Sequence, residues 1–193
     1  MTPRQSFLKF LYPIITLFSG LFKNGVQSNK ENLLPKSSFY SLSATRNNGE
    51  IFSFDSLKGF KVLIVNTASD CGYTAQYAEL ETLYQQHKGK LKIIAFPAND
   101  FKNQEKGNDE DIATFCKKNY GVSFMLMQKT NVIGATQNNI FKWLTNKEMN
   151  GWCNQQPQWN FSKYLIDENG VLINYFAPKI SPLSKNIMRP IFQ

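Results

Sequence analysis

Three cysteines, Cys71, Cys116 and Cys153, carry the most reactive side chains in this 193-residue sequence. A cysteine thiolate attacks peroxides and disulfides, so a cysteine whose thiolate is stabilised can start a redox cycle. Cys71 has no partner in a C-x-x-C pair, which argues against a plain dithiol oxidoreductase. Three cysteines in a chain this long exclude a disulfide-stapled scaffold, and a single histidine, His87, makes a metal site unexpected.

The position of Cys71 favours a reactive thiol. It lies between a predicted buried strand, residues 61–66, and a predicted helix, residues 74–87. Free backbone N–H groups and the helix dipole at a helix N-terminus stabilise a thiolate and lower the pKa of the thiol. The alternative is that Cys71 is one more small buried residue, and its position alone leaves both interpretations open.

The other two cysteines have ordinary interpretations from the sequence pattern. Cys116 lies in a predicted helix over residues 109–120 and shares a face with Ile112 and Phe115, which indicates a core position. Cys153 lies in a loop rich in Asn and Gln and is predicted to be at the surface.

The predicted elements that would position these thiols alternate between strands and helices. In chain order they are a hairpin over residues 40–54 turning at Asn48-Gly49, strand 61–66, helix 74–87, strand 91–96, helix 109–120 between Asn108 and Gly121, helix 138–147, two strands over 163–176 joined at Asn169-Gly170, and a short helix from Leu183 limited by Pro190. This order predicts an α/β domain with a mixed central sheet, helices on both faces and an N-terminal β-hairpin, similar to the thioredoxin fold.

The N-terminal part of the chain differs from the rest. Residues 10–22 are uncharged and flanked by basic residues, so residues 1–23 are predicted to be a signal or membrane-tether segment, with membrane association through residues 7–22. The alternative is an amphipathic tail that lies on a membrane or on the domain, and the alternative location is the cytoplasm. Residues 24–37 are polar and predict a linker, and the domain is expected to span residues 38–193.

The net charge of +8 is not concentrated on the predicted domain. Residues 1–37 hold five Lys or Arg and one acid, whereas residues 38–193 hold 17 Lys or Arg and 13 acids. A mildly basic body lacks the dense basic face that a nucleic-acid partner needs.

Several segments resemble the glutathione peroxidase family. Residues 65–74 (VNTASDCGYT) resemble its V-N-x-A-S-x-C-G-x-T motif, in which selenocysteine or cysteine takes the seventh place. The other matches are residues 96–101 (FPANDF) to F-P-C-N-Q-F, 103–107 (NQEKG) to G-Q-E-P-G, 159–165 (WNFSKYL) to W-N-F-x-K-F-L, and the dipeptide 177–178 with residues 181–183 to the family's ending. The resemblance runs in order from about Ser38 to Leu183.

This resemblance implies a catalytic tetrad of Cys71, Gln104, Trp159 and Asn160. The two amides and the indole supply N–H donors that can stabilise the thiolate and the oxygen that leaves the peroxide. Taken singly, Trp159 would be assigned to the core and the two amides to solvated loops; the matched spacing favours the site. The resemblance implies no prosthetic group.

The resemblance also changes the interpretation of Cys116. Residues 110–122 resemble the helix that carries a resolving cysteine in thioredoxin-dependent, cysteine-type members. The sequence departs from the family where Ala98, Asp100 and Lys106 replace Cys, Gln and Pro. It also lacks the long insertion of tetrameric members, so a monomer is expected.

The expected function is reduction of H₂O₂ and organic hydroperoxides, with Cys71 passing through sulfenic acid, Cys116 forming a disulfide and thioredoxin recycling it. A glutathione-dependent peroxidase is the alternative within the class. A thiol redox sensor that passes oxidation to a client protein is the alternative outside it, and the tetrad disfavours a silent binding module.

Overall fold

The structure is a computed structural model that describes residues 2, 3, 5–7, 10, 12 and 25–192. Most of the predicted signal or tether segment, residues 1–23, therefore lies outside the described residues. Among the residues that are described, no helix is both long enough and apolar enough to cross a membrane.

Among the described residues, six strands form one mixed sheet: β1 Val26–Ser28, β4 Lys61–Thr67, β5 Leu91–Pro97, β6 Met125–Leu126, β7 Lys163–Ile166 and β8 Leu172–Phe176. Their order across the sheet is β1-β8-β7-β4-β5-β6. The β4–β5 and β5–β6 pairs are parallel, whereas β4–β7, β7–β8 and β8–β1 are antiparallel. Strands β2 (Ser43–Thr45) and β3 (Ile51–Ser53) form the predicted separate hairpin.

Within residues 25–192, five helices pack on this sheet: α1 Gln76–His87, α2 Asp109–Tyr120, α3 Asn139–Leu144, α4 Lys147–Asn150 and α5 Lys185–Phe192. Short 3₁₀ turns occupy Phe39–Ser41 and Phe54–Leu57. Helix α2 begins with the predicted cap: Asn108 and Asp111 form a reciprocal capping box, and Gly121 ends the helix in the left-handed conformation at φ +67°.

The central strand β4 is buried along its whole length and divides the core into two parts. Val62 and Ile64 belong to a cluster that contains α3 and both 3₁₀ turns. Leu63 and Val65 belong to the second cluster, which contains buried residues of α1, α2 and α5. Because side chains alternate along a strand, one apolar strand supplies both cores. Helices therefore cover both faces of the sheet, which confirms the predicted fold class.

The structure corrects the predicted linker over residues 24–37. Residues 26–28 are strand β1, which pairs antiparallel with β8 at the edge of the sheet. The pairing is extended by the Ala177 N–H, which donates to the Gly25 carbonyl at 2.7 Å. Polar side chains suit an edge strand because its outer face meets water, so composition alone did not separate this strand from a linker.

Two local predictions were also wrong. The hairpin turns at the predicted Asn48-Gly49, but a two-residue turn of this kind needs positive φ at both residues, and only Gly49 has it, at φ +88°. The turn is closed by the Gly49 N–H donating to the Arg46 carbonyl, the arrangement of a three-residue loop. Pro190 was expected to limit the last helix, yet it lies inside α5.

Candidate active site

Cys71 lies in the turns that connect β4 to α1, and its side chain is fully buried. The Cys71 carbonyl accepts from the Thr74 N–H at 3.2 Å, and successive turns continue into α1. The Tyr73 N–H approaches the Cys71 sulfur at 3.5 Å. The predicted backbone donor at the start of the helix is therefore present.

The pKa of Cys71 is nevertheless raised, and this corrects the expectation of a lowered value. Burial removes water from the sulfur and is the largest cause. The Tyr73 N–H and the side chains of Asn160 and Trp159 act on the sulfur as donors and lower its pKa, while the neighbouring Asp70 raises it. The donors thus reduce a burial penalty that they do not fully offset.

The Trp159-Asn160 pair is held in place by Asn66 at the end of β4. The Asn66 amide donates to the Trp159 carbonyl at 3.2 Å and accepts from the Ser162 N–H at 3.0 Å. The Asn66 carbonyl accepts from the Phe161 N–H at 2.6 Å. Phe161 has φ +66°, a left-handed conformation that costs free energy in a non-glycine residue. These three bonds fix a strained loop beside Cys71.

Gln104 joins the site through two hydrogen bonds. Its side-chain oxygen accepts from the Asn160 amide at 3.0 Å. Its carbonyl accepts from the Asp70 N–H at 3.0 Å, next to Cys71. Because the oxygen is engaged by Asn160, the remaining group of Gln104 for a substrate is its Nε2 donor. The structure brings all four residues of the predicted tetrad together.

Two buried ionisable residues belong to this region, and both lie in family motifs although the sequence assigned neither of them a role. Glu105 is 1% exposed and accepts from the Ser69 N–H at 2.8 Å and the Ser69 hydroxyl at 3.1 Å. Burial raises its pKa to about 7. Lys163 is fully buried in β7. A lysine in an otherwise apolar strand, three residues after Asn160, was the signal that could have identified it.

Cys116 lies on the inner face of α2 and is fully buried, as its periodicity predicted. Burial raises its pKa to about 12, although the nearby Tyr77 hydroxyl lowers it. Cys71 and Cys116 are both free thiols and belong to the same core cluster, on one side of the sheet.

Cys153 is not a surface residue, contrary to the prediction. It is 1% exposed and belongs to the cluster on the opposite side of the sheet from Cys71. Asn150 encloses its backbone, accepting from the Cys153 N–H at 2.7 Å and donating to the Cys153 carbonyl at 2.8 Å. Burial raises its pKa to about 11. The polar loop sequence predicted exposure, but its side-chain amides, such as that of Asn150, form hydrogen bonds with the backbone, so the loop can be buried.

Two clefts flank the Cys71 segment. One, of about 440 Å³, is lined by Ser69, Asp70, Gln104 and Phe115 among others. The second, of about 510 Å³, is lined by Tyr73, Trp159 and Pro178 among others. Within the described residues no group of three or more His, Cys, Asp or Glu is placed to hold a metal ion. Gln104 lines the first cleft and Trp159 lines the second, so the predicted site residues border both.

Comparisons with known proteins agree with this geometry. Residues 39–145 match the family model for glutathione peroxidase. The chain is 43% identical over 148 residues to the glutathione peroxidase-like peroxiredoxin 2 of Saccharomyces cerevisiae, covering 76% of this chain and 91% of that protein. It is 44% identical over 145 residues to a glutathione peroxidase of Lactococcus lactis, covering 75% and 92%.

Solved structures give the same result. The crystal structure of Trgpx in its apo form superposes with a TM-score of 0.63 at 32% identity, covering 82% of this chain and 97% of that one. The chain belongs to the glutathione peroxidase family and is a peroxidase.

Proposed function

We propose that Cys71 is the residue that attacks the peroxide. Its thiolate bonds to the terminal oxygen of H₂O₂ or an organic hydroperoxide, the O–O bond breaks, and water or an alcohol leaves after protonation. Cys71 becomes a sulfenic acid. This assignment is supported by a single buried sulfur that the Tyr73 N–H approaches at 3.5 Å and whose pKa the side chains of Asn160 and Trp159 lower.

The same donors would serve the transition state. Negative charge moves from the sulfur to the leaving oxygen as the O–O bond breaks, and fixed N–H groups stabilise that charge without reorganising. Gln104, linked to Asn160 at 3.0 Å, would offer its Nε2 donor to the peroxide at the rim of the cleft.

Cys116 is proposed as the resolving thiol. Its sulfur displaces the hydroxyl of the Cys71 sulfenic acid, which forms a disulfide and releases water. A disulfide requires Cα atoms within about 7 Å. Because Cys116 is enclosed on the inner face of α2, we expect this helix to open locally before the bond forms.

A thioredoxin-type dithiol is the proposed reductant of that disulfide, with glutathione as the alternative. The similarity to proteins called peroxiredoxins supports a protein dithiol. The proposed role in the cell is the response to oxidative stress.

An NADPH-coupled assay tests the proposal. Hydroperoxide is supplied either with thioredoxin and its reductase, or with glutathione and its reductase. We expect turnover with thioredoxin that is lost in Cys116→Ser and kept in Cys153→Ser. No turnover with either reductant would contradict the peroxidase assignment. Turnover by Cys116→Ser with thioredoxin at the wild-type rate would contradict the resolving role.

Residues 1–23 are proposed to direct export or to tether the enzyme to a membrane, because an uncharged stretch is flanked by basic residues. Fractionation of cells that express the full chain, followed by N-terminal sequencing, tests this. An uncleaved protein found wholly in the cytosol would contradict it.

A further inference from the structure

A helical segment that precedes the domain lies against the loop that carries Cys71, and the proposed mechanism gives this segment no role. Its described residues 3, 5–7, 10 and 12 are helical, and we call it the N-terminal helix. It begins with a capping box, in which the Thr2 N–H donates to the Gln5 side-chain oxygen at 2.7 Å and the Gln5 N–H donates to the Thr2 hydroxyl at 3.2 Å. The Ser6 N–H donates to the Thr2 carbonyl at 3.0 Å, which is the bond expected in the first turn.

One face of the N-terminal helix is bonded to the domain at two places. The Gln5 Nε2 donates to the carbonyl of Ser69, two residues before Cys71, at 3.1 Å. The Tyr12 hydroxyl donates to the Glu79 carboxylate of α1 at 3.1 Å, and Tyr12 is 5% exposed. Positions seven residues apart are separated by nearly two helical turns, so Gln5 and Tyr12 lie on the same face of the helix.

The opposite face of the N-terminal helix is exposed. Phe7 and Phe10 lie about half a turn round from Gln5, and their side chains are 61% and 75% exposed. Burial of apolar surface alone would have placed these phenylalanines against the domain. The hydrogen bonds of Gln5 and Tyr12 therefore select the face that docks, which indicates a specific contact.

The N-terminal helix also forms one wall of the cleft of about 440 Å³. Two residues of its first turn line this cleft, Thr2 and Gln5. Other lining residues are Asp70, which precedes Cys71, and Phe115 of α2, which precedes Cys116. The second cleft has no described lining residue from α2. The cleft that both cysteine segments border is thus the one that the N-terminal helix narrows.

The size of a reactant decides whether the docked helix obstructs it. H₂O₂ has two heavy atoms and fits a cleft of this volume beside the helix. A protein dithiol instead attacks one sulfur of the disulfide, forms a mixed disulfide, and leaves as a disulfide while Cys71 and Cys116 regain their thiols. Even weak redox encounters between proteins bury on the order of 500 Å² on each partner. A helix bonded to Ser69 occupies part of that area.

We propose that the N-terminal helix is an autoinhibitory segment, which obstructs a protein dithiol and leaves the cleft open to H₂O₂. With the helix docked, the enzyme is oxidised by peroxide at its full rate and is reduced slowly. Removal of residues 1–23, or their withdrawal into a membrane, frees this face of the domain. This inference rests on the proposed function, because it takes the Cys71–Cys116 disulfide as the species that a dithiol reduces.

Gln5→Glu tests the docking without weakening the helix, since glutamate keeps the capping box and loses the N–H that donates to the Ser69 carbonyl. Tyr12→Phe likewise keeps the aromatic ring and loses the bond to Glu79. The full chain and each variant are oxidised with one equivalent of H₂O₂ and mixed with reduced thioredoxin in a stopped-flow fluorimeter. Loss of one such hydrogen bond should increase the rate of reduction by thioredoxin about fivefold.

Phe10→Ala is the matched control, because it changes the exposed face of the same helix. We expect this variant to be reduced by thioredoxin at the wild-type rate. Dithiothreitol is a dithiol small enough to enter the cleft, so it should reduce the wild type and all three variants at one rate. The rate of oxidation by H₂O₂ should also be the same in these four proteins.

Equal thioredoxin rates for the wild type, Gln5→Glu and Tyr12→Phe would overturn the proposal, as would a failure of thioredoxin to reduce any of them. Acceleration of the dithiothreitol or H₂O₂ reaction by the same factor would also overturn it, because the helix would then not distinguish reactants by size. Oxidation by H₂O₂ is measured separately, so the proposal can fail while the peroxidase assignment stands. Absence of that oxidation in every chain would contradict the peroxidase assignment itself.

Discussion

Burial and hydrogen bonding oppose each other at Cys71. Burial disfavours the thiolate, whereas the donors of Tyr73, Trp159 and Asn160 favour it. Since the thiolate is the reactive form, each donor that is removed should reduce the rate of attack on peroxide. The reactivity of Cys71 therefore depends on the number of donors that act on its sulfur, and a position at the start of a helix is not sufficient by itself.

Trp159→Phe keeps an aromatic ring beside Phe101 and removes the indole N–H. We expect the pKa of Cys71 to rise and the rate constant for H₂O₂ at neutral pH to fall about tenfold, the effect of one pKa unit. Competition kinetics against a known peroxide scavenger measure this rate. Trp152→Phe is the control, since the Trp152 indole donates to the Leu172 carbonyl instead. Equal rates for the two variants would argue against the role of Trp159.

Glu105 should make the stability of the protein depend on pH. Its pKa is about 7 in the fold, against 4.5 for an ordinary glutamate, so the folded state holds this proton more tightly than the unfolded state. The contribution of Glu105 to the free energy of unfolding is fully present below about pH 4.5 and is lost as the pH rises to about 7. The change is about 3 kcal/mol.

Glu105→Gln retains an acceptor for Ser69 and removes the titration. We expect the free energy of unfolding of the variant, measured relative to that of the wild type, to increase by about 3 kcal/mol as the pH rises from about 4 to about 8. Urea unfolding at several pH values measures the free-energy difference. A difference that does not vary with pH would contradict the assigned cause.

At the scale of elements, two requirements on helix α2 oppose each other. It must bury Cys116 in the reduced protein and, under the proposed mechanism, release it for the resolving step. The capping box of Asn108 and Asp111 and the left-handed Gly121 stabilise its ends. The stability of these caps should therefore influence how fast the disulfide forms.

Asn108→Ala removes the cap and should cost about 1 kcal/mol of stability. We expect disulfide formation after oxidation to become faster, because the helix opens more often. Asn138→Ala is the control: Asn138 caps α3 in the same way, accepting from the Phe141 N–H at 2.9 Å. Rapid alkylation at timed intervals follows the free thiols. Equal acceleration by both variants would show that general destabilisation, and not opening of α2, is responsible.

The elements were largely predictable from the sequence because their signals are local. The apolar run of β4 and the Asn108 cap with Gly121 of α2 each specify an element without reference to distant residues. The burial of Cys153 and the pairing of β1 were not predictable in this way. Both depend on contacts with residues far along the chain: Cys153 with the core on its face of the sheet, and Val26 with Phe176.

The predicted tetrad also depends on contacts between distant residues, which local sequence signals do not indicate. Its members could be assigned only through the family motifs, because Gln104 and Asn160 are far apart in sequence and nothing local indicates that they meet. The raised pKa of Cys71 was missed because sequence indicates a helix terminus but not the depth of burial.

At the scale of the whole molecule, both cysteines of the proposed reaction lie on one side of the sheet. Cys71 and Cys116 lie in the cluster with α1, α2 and α5, and Cys153 lies in the other. The sheet thus separates the two thiols that are proposed to react from the third, which favours one disulfide pairing over the others.

The edge strand β1 makes the N-terminal part of the domain necessary for stability. A chain that begins at Lys30 would lose the Ala177–Gly25 bond at 2.7 Å and the Asn29–Ile173 bond at 2.9 Å, together with the pairs between them. We expect it to be less stable by about 3 kcal/mol than a chain that begins at Asn24, from a few bonds of about 1 kcal/mol each. Thermal unfolding compares the two. Equal midpoints would show that β1 contributes nothing.

Peptide mapping after oxidation tests the central claim most directly. The reduced protein is treated with one equivalent of H₂O₂, its free thiols are alkylated, and its peptides are identified by mass spectrometry. We predict a disulfide between Cys71 and Cys116, alkylated Cys153, and, in Cys116→Ser, a dimedone adduct on Cys71. Alkylated Cys71 after complete consumption of the peroxide, or a disulfide that contains Cys153, would contradict the account.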